Sequence, residues 1–109
     1  MSKYNSKKIE YNGERFDSKK ECERYLYLKE MEENGEIHNL KRQVPIILLE
    51  GYQLEGERKV QPIKYMCDFI YDDSNGTTHY EDCKGFRTEV YKLKKKMFES
   101  RYGVKLEES

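Results

Sequence analysis

Asp68 and, after thirteen intervening residues, Asp82-Cys83-Lys84-Gly85 carry side chains suited to chemistry on a phosphodiester. Ile63 to Tyr71 is rich in β-branched and aromatic residues, Asp72 to Gly76 supplies turn residues including Asn75-Gly76, and Thr77 to Lys84 reads as a returning strand. Two carboxylates and a lysine are thereby expected on neighbouring strands. Alternation along the second strand puts Asp82 and Lys84 on one side and Glu81 and Cys83 on the other, which favours Asp82 over Glu81 as the acidic member. Carboxylates held close together repel unless a cation sits between them, and a hard, oxygen-seeking ion such as Mg²⁺ answers that need. A neighbouring lysine is a compact point charge, suited to orienting an attacking water or stabilising a developing phosphorane. An acidic residue two before a lysine is by itself more often a solvated ion pair, so a third carboxylate is needed to shift the balance.

Glu21 is the candidate. From Asp17 or Ser18 to about Glu33 the chain reads as a helix in which Cys22, Tyr25, Leu26 and Leu28 share one arc. Glu21 falls inside that arc, with Lys29 and Glu32 within or near it. A carboxylate on an apolar face is costly unless paired or liganding. Two readings stay open: Ser18-Lys19-Lys20-Glu21 fits a capping box that turns Glu21 back to the Ser18 backbone, whereas capping by Asp17 frees it.

The ordered set Ser18-Lys19-x-Glu21, Tyr65-x-x-Asp68-Phe69-x-Tyr71, Glu81-Asp82-x-Lys84-Gly85 and Thr88-x-x-Tyr91-x-x-Lys94 resembles the PD-(D/E)XK nuclease superfamily. More narrowly, it is similar to small phage and prophage proteins described as Holliday-junction-resolvase-like or of unknown function. The resemblance runs from about Lys7 to Glu107. It implies an α/β fold with a restriction-endonuclease-like α-β-β-β-α-β core, a central mixed sheet flanked by helices. It also implies Glu21, Asp68 and Asp82 as Mg²⁺ ligands, with Mn²⁺ as a substitute, and Lys84 as the catalytic lysine of a DNA endonuclease. Cys67 stands where the superfamily has its naming proline, a mild departure because that proline is not a ligand. The alternative is a nucleic-acid-binding accessory factor that keeps the fold without cutting.

The chain has 109 residues, the size of a single domain, and should bury roughly 65% of its unfolded surface. With 36% hydrophobic and 39% charged residues, the core must be small and weighted toward aromatics, and ten tyrosines can bury rings while keeping their hydroxyls at a wet edge. The longest apolar run, Val44 to Leu49, is too short to span a membrane and the N-terminus lacks a signal-peptide core, so a cytoplasmic protein of a bacterial host is expected. Three cysteines, an odd number, argue against a disulfide scaffold. Each adjoins a proposed site residue, but alternation turns Cys67 and Cys83 away from Asp68 and Asp82, so they read as small core hydrophobes. His38 and His79 lack ligand spacing.

Net charge is zero but unevenly spread. Between Lys84 and Arg101 seven basic residues (Lys84, Arg87, Lys92, Lys94, Lys95, Lys96, Arg101) face only Glu89 and Glu99, while Glu21 to Glu36 carries six glutamates against Arg24 and Lys29. A basic stripe beside an acidic site suits binding of a DNA backbone, although Lys92, Lys95 and Lys96 fit a solvated helix face equally well. Lys94 lies in the arc of Val90, Leu93, Met97 and Phe98, so its ammonium is expected to snorkel toward the site or a phosphate. Met1 to Lys7 reads as a mobile basic tail, Lys8 to Phe16 as a hairpin around Asn12-Gly13, Gln43 to Leu49 as the first core strand, and Gly51 to Lys59 as a connecting loop. Thr88 can cap the last helix, Gly103 can end it, and Val104 to Glu107 can add an edge strand. Junction cleavage would need two sites related by two-fold symmetry and hence a homodimer.

Overall fold

A computed structural model of the chain describes residues 8–83 and 87–109. The expected tail at residues 1–7 and the catalytic candidate Lys84, with Gly85 and Phe86, lie outside the described residues.

The chain opens with a hairpin of β1 (Ile9–Tyr11) and β2 (Glu14–Phe16). Asn12 and Gly13 both take positive φ, 51° and 80°, as a tight two-residue hairpin turn requires. Helix α1 (Lys19–Glu33) follows, with Ser18 as its N-cap accepting the Glu21 N–H at 3.1 Å. Strand β3 (Ile37–Leu49) starts six residues earlier than expected, because its polar first half pairs with a strand distant in sequence. Within the stretch expected to be a loop, β4 (Tyr52–Gln53) and β5 (Lys59–Val60) form a small hairpin. Strands β6 (Ile63–Asp73) and β7 (Thr78–Asp82) are the expected antiparallel pair. Helix α2 (Glu89–Tyr102) is capped by Thr88 and ended by Gly103 at φ 67°, and β8 (Leu106–Glu108) closes the chain.

The main sheet has the order β3-β6-β7-β8. Its first three strands are antiparallel and β8 runs parallel to β7, which requires a crossover such as α2 provides. The protein is thus α/β with a mixed central sheet and two helices. Leaving aside the two small hairpins, its elements run α-β-β-β-α-β. One core joins Leu48, Tyr65 and Cys67 to Tyr91 and Phe98 of α2, with Ile70 and Tyr80 packed against it. The other joins Phe69, Tyr71, Cys83 and Ile37 to Leu28 of α1. Among the described residues, no helix is long and apolar enough to cross a membrane.

The helices depart from the expected apolar arcs, α1 at Leu26 alone and α2 at Val90 and Leu93. In α1 Glu21, Cys22, Tyr25, Leu28 and Glu32 face inward, with Glu32 accepting the Leu40 N–H, and Leu26 is 37% exposed. In α2 the inward residues are Tyr91 and Phe98, one heptad apart, and Val90 and Leu93 are left exposed. Aromatic rings bury more area than either aliphatic side chain, so they set the rotation. The tyrosine hydroxyls, too, do more than reach a wet edge: Tyr65, Tyr71 and Tyr91 donate to Asp82, Glu81 and Glu108.

Candidate active site

The register places the acidic candidates side by side. Phe69 lies across from Glu81, so Asp68 stands across from Asp82; Arg42 and Val44 lie across from Phe69 and Cys67, so Gln43 stands across from Asp68. Strict alternation would keep one parity of β6 on one face. Instead Tyr65 and Cys67 pack toward α2 together with Ile70, while Phe69 and Tyr71 pack toward α1. The strand therefore changes face at Asp68. Its neighbour Gln43 has φ +53°, a left-handed conformation in the middle of β3, and the two irregularities coincide.

This switch brings Asp68 to Glu21. Gln43 Nε2 donates to Glu21 Oε2 at 2.9 Å and to Asp68 Oδ1 at 3.1 Å, so carboxylates from a helix start and a central strand converge on one atom. Both are buried, at 3% and 7% exposure. Asp68 Oδ2 accepts the Cys83 N–H at 2.9 Å. Glu21 divides its two oxygens between both roles read from the sequence: Oε1 accepts the Asp17 N–H at 3.3 Å, one residue before the expected Ser18 partner, and Oε2 faces the site. Arg42 stands beside it, its Nη2 3.4 Å from Glu21 Oε2 and 2.8 Å from the Arg15 carbonyl, its Nη1 3.3 Å from Glu14, and its guanidinium 4.0 Å from the Phe16 ring centroid. Arg42 thereby fastens the first hairpin over the start of α1.

The two remaining acids point to different partners. Asp82 is fully buried and accepts a hydrogen bond from the Tyr65 hydroxyl, whose ring belongs to the α2 core. Glu81 turns to α1, where Arg24 donates from Nε and Nη2 to its two oxygens at 2.6 and 2.9 Å and Tyr71 donates at 2.9 Å. Burial pushes the Glu81 carboxyl up, but the bonds from Arg24 and its neighbours outweigh it and hold the group below its ordinary value. Burial and then the bond to Asp82 push the Tyr65 hydroxyl far up, leaving it a proton donor to that carboxylate.

Alternation holds for Glu81, Asp82 and Cys83, but not for the relation of Asp68 to Cys83. Cys83 packs with Phe69 on the α1 side, and burial raises its pKa, with Asp68 and Glu21 adding to the rise. Cys67 is pushed up to about 12, chiefly by burial. Both thiols are protonated near neutrality, as core hydrophobes are. Among the described residues, no three His, Cys, Asp or Glu side chains are grouped so as to hold a metal ion. Of the expected acidic triad, Glu21 and Asp68 are joined through Gln43, and Asp82 is joined to Tyr65. Arg42 and Gln43 escaped the sequence reading because only the β3–β6 register marks them.

A family model described as Protein of unknown function (DUF1064) matches residues 1–108. The chain belongs to this family. Searches of the curated proteins and of the solved structures found no match.

Of the six basic residues of this DUF1064 protein from Arg87 to Arg101, four are paired with acids. Arg87 meets Glu108 at 2.8 Å, Lys92 meets Glu89 at 3.8 Å, Lys95 meets Glu99 at 3.0 Å and Arg101 meets Glu50 at 3.3 Å. Lys94 turns not to the acidic site but to the start of β6, donating to the Lys64 carbonyl at 2.9 Å. Surface pairs of this kind contribute only about 0–1 kcal/mol each, so phosphates can displace them. Arg87, Lys92, Lys95 and Lys96 line a concavity of about 490 Å³ with Glu89, Glu99 and Glu108. That groove lies against α2, apart from Glu21 and Asp68.

Proposed function

We propose that this DUF1064 protein is a divalent-metal-dependent DNA endonuclease of restriction-endonuclease-like fold, acting on branched or junction DNA. The observation that carries the reading is the convergence of the buried Glu21 and Asp68 carboxylates on one point. The donor set fits Mg²⁺, which takes hard oxygens and is commonly held by only one or two carboxylates with water and substrate phosphate. When bound there, Mg²⁺ or Mn²⁺ supplies Lewis-acid polarisation of a phosphate and a lowered pKa for a coordinated water. Glu21 and Asp68 would hold the ion. Lys84, two residues beyond Asp82 in sequence, would offer its ammonium to the attacking water or the developing charge. Arg87, Lys92, Lys95 and Arg101 would exchange their acidic partners, and Lys94 its carbonyl, for backbone phosphates, with Lys96 beside them. Action on a four-way junction would pair two copies about a two-fold axis.

The bond between Asp82 and Tyr65 favours a second reading, a DNA-binding accessory factor that does not cut, because it draws one acid of the triad toward the α2 core. Incubating labelled four-way junction, flap, single-stranded and duplex DNA with Mg²⁺, Mn²⁺ or EDTA separates the two. Metal-dependent cutting lost in Lys84→Ala supports the endonuclease. DNA retention that is indifferent to metal, with no cutting of any substrate, supports the accessory factor.

A further inference from the structure

Gln43 combines three properties that a strand residue seldom has together. Its backbone sits at φ +53° between two ordinarily paired neighbours, a conformation disfavoured for a non-glycine residue and persistent only where surroundings over-determine it. Its two amide hydrogens are spent on two carboxylates, Glu21 and Asp68. Those carboxylates are buried, a neutral amide offsets none of their charge, and Arg42, 3.4 Å from Glu21, is shared with Glu14.

The amide nitrogen thus occupies the point toward which both anions are aimed, where a cation would be stabilised more strongly than a neutral donor. A glutamine amide has a second face. Rotation about its last side-chain torsion exchanges nitrogen for oxygen, and an amide oxygen is a hard, neutral ligand of the kind Mg²⁺ and Ca²⁺ accept.

We propose that Gln43 is a switchable member of the metal site: its NH₂ group keeps Glu21 and Asp68 converged, and it turns over to offer Oε1 when a divalent cation takes the point between them. The inference rests on the metal-centre reading of Glu21 and Asp68 and goes beyond it. It gives the site a neutral third oxygen from β3, drawn from the opposite side of β6 to Asp82. It also gives the left-handed backbone at residue 43 a purpose, since a regular strand would carry the amide to the parity its neighbours dictate.

The test uses the full chain with Mg²⁺ alone and then Mn²⁺ alone. Side-chain amide resonances are followed by NMR and affinity is measured by calorimetry, in wild type, Asp68→Asn and Gln43→Asn. Asparagine tolerates positive φ, so Gln43→Asn keeps the backbone conformation while its shorter amide cannot span both carboxylates. Backbone spectra confirm that each variant is folded. The expected result is a saturable shift of the Gln43 NH₂ signals with Mg²⁺, loss of binding in Asp68→Asn, and binding about 10- to 100-fold weaker in Gln43→Asn, as for residues that orient metal ligands. Binding that disappears in Asp68→Asn but leaves the Gln43 signals unmoved, and is unchanged in Gln43→Asn, overturns the role of Gln43 and leaves the metal centre standing. No binding of either cation to the wild type overturns both.

Discussion

Arg24→Met tests whether Glu81 is a structural acid and not a member of the site. Glu81 is 2% exposed and both its oxygens are bonded to Arg24, whose own side chain is 30% exposed. Removing one partner of a buried pair costs about 3–5 kcal/mol, because it leaves an uncompensated charge. The partial exposure of Arg24 and the surviving Tyr71 bond reduce this to about 3 kcal/mol, or about 12 °C in melting temperature for a chain of this size. The pH dependence follows from the depressed pKa of Glu81. In the wild type its contribution is present above the unfolded value, about 4.3, and is lost as pH falls through the lower folded value. With Arg24 gone, burial dominates and raises the carboxyl, so protonation relieves the variant. Its deficit should be full at pH 7 and shrink as pH falls toward about 4. Urea denaturation of wild type, Arg24→Met and Arg24→Met/Glu81→Met at both pH values measures this, and the double variant should recover at least half of the loss. A single variant within about 1 kcal/mol of wild type at pH 7, or a double variant as unstable as the single, would refute the reasoning.

His79 lies between Asp73, at 2.8 Å from Nε2, and Glu107, at 2.6 Å from Nδ1, and stacks on Tyr71. The Asp73 bond, partly opposed by burial, leads the rise in its pKa, with Glu107 adding to it. Its contribution, about 1 kcal/mol or less at this exposure, is therefore complete below the unfolded value and lost as pH rises through the raised folded one; His79→Gln should flatten the denaturation midpoint between pH 6 and 9. Gly103 ends α2 at φ 67° with nothing within 4 Å of the place a Cβ would take. Gly103→Ala should thus lower stability by about 1 kcal/mol through backbone conformation alone, read as a melting temperature about 4–5 °C lower.

Local signals in the sequence account for much of the fold. Asn12-Gly13, the Thr88 cap, Gly103 and the Asn75-Gly76 turn each act within a few residues, and the structure carries each as read; of the two caps open for α1 it takes Ser18. What escaped were features set by partners distant in the chain. His38, Asn39, Lys41 and Arg42 do not resemble a strand, yet pairing with β6 makes them one, with a register shift at Asn39 that has φ 58°. Parity arguments fail at Asp68 for the same reason, since the face change at Gln43 and Asp68 is a property of two strands together. The zero net charge hid the pairing of Arg87 with Glu108 of β8 and of Arg101 of α2 with Glu50 just past β3, which no local count reveals.

The most direct test of the account is the single-turnover rate at which wild type and Asp68→Asn cut a labelled four-way junction and its duplex arms in Mg²⁺. Cutting by the wild type that EDTA stops is expected, with a rate lower by at least about 100-fold in Asp68→Asn and DNA binding retained. Cutting by Asp68→Asn at the wild-type rate, or a wild type that binds these DNAs and never cuts them with either metal, would contradict it.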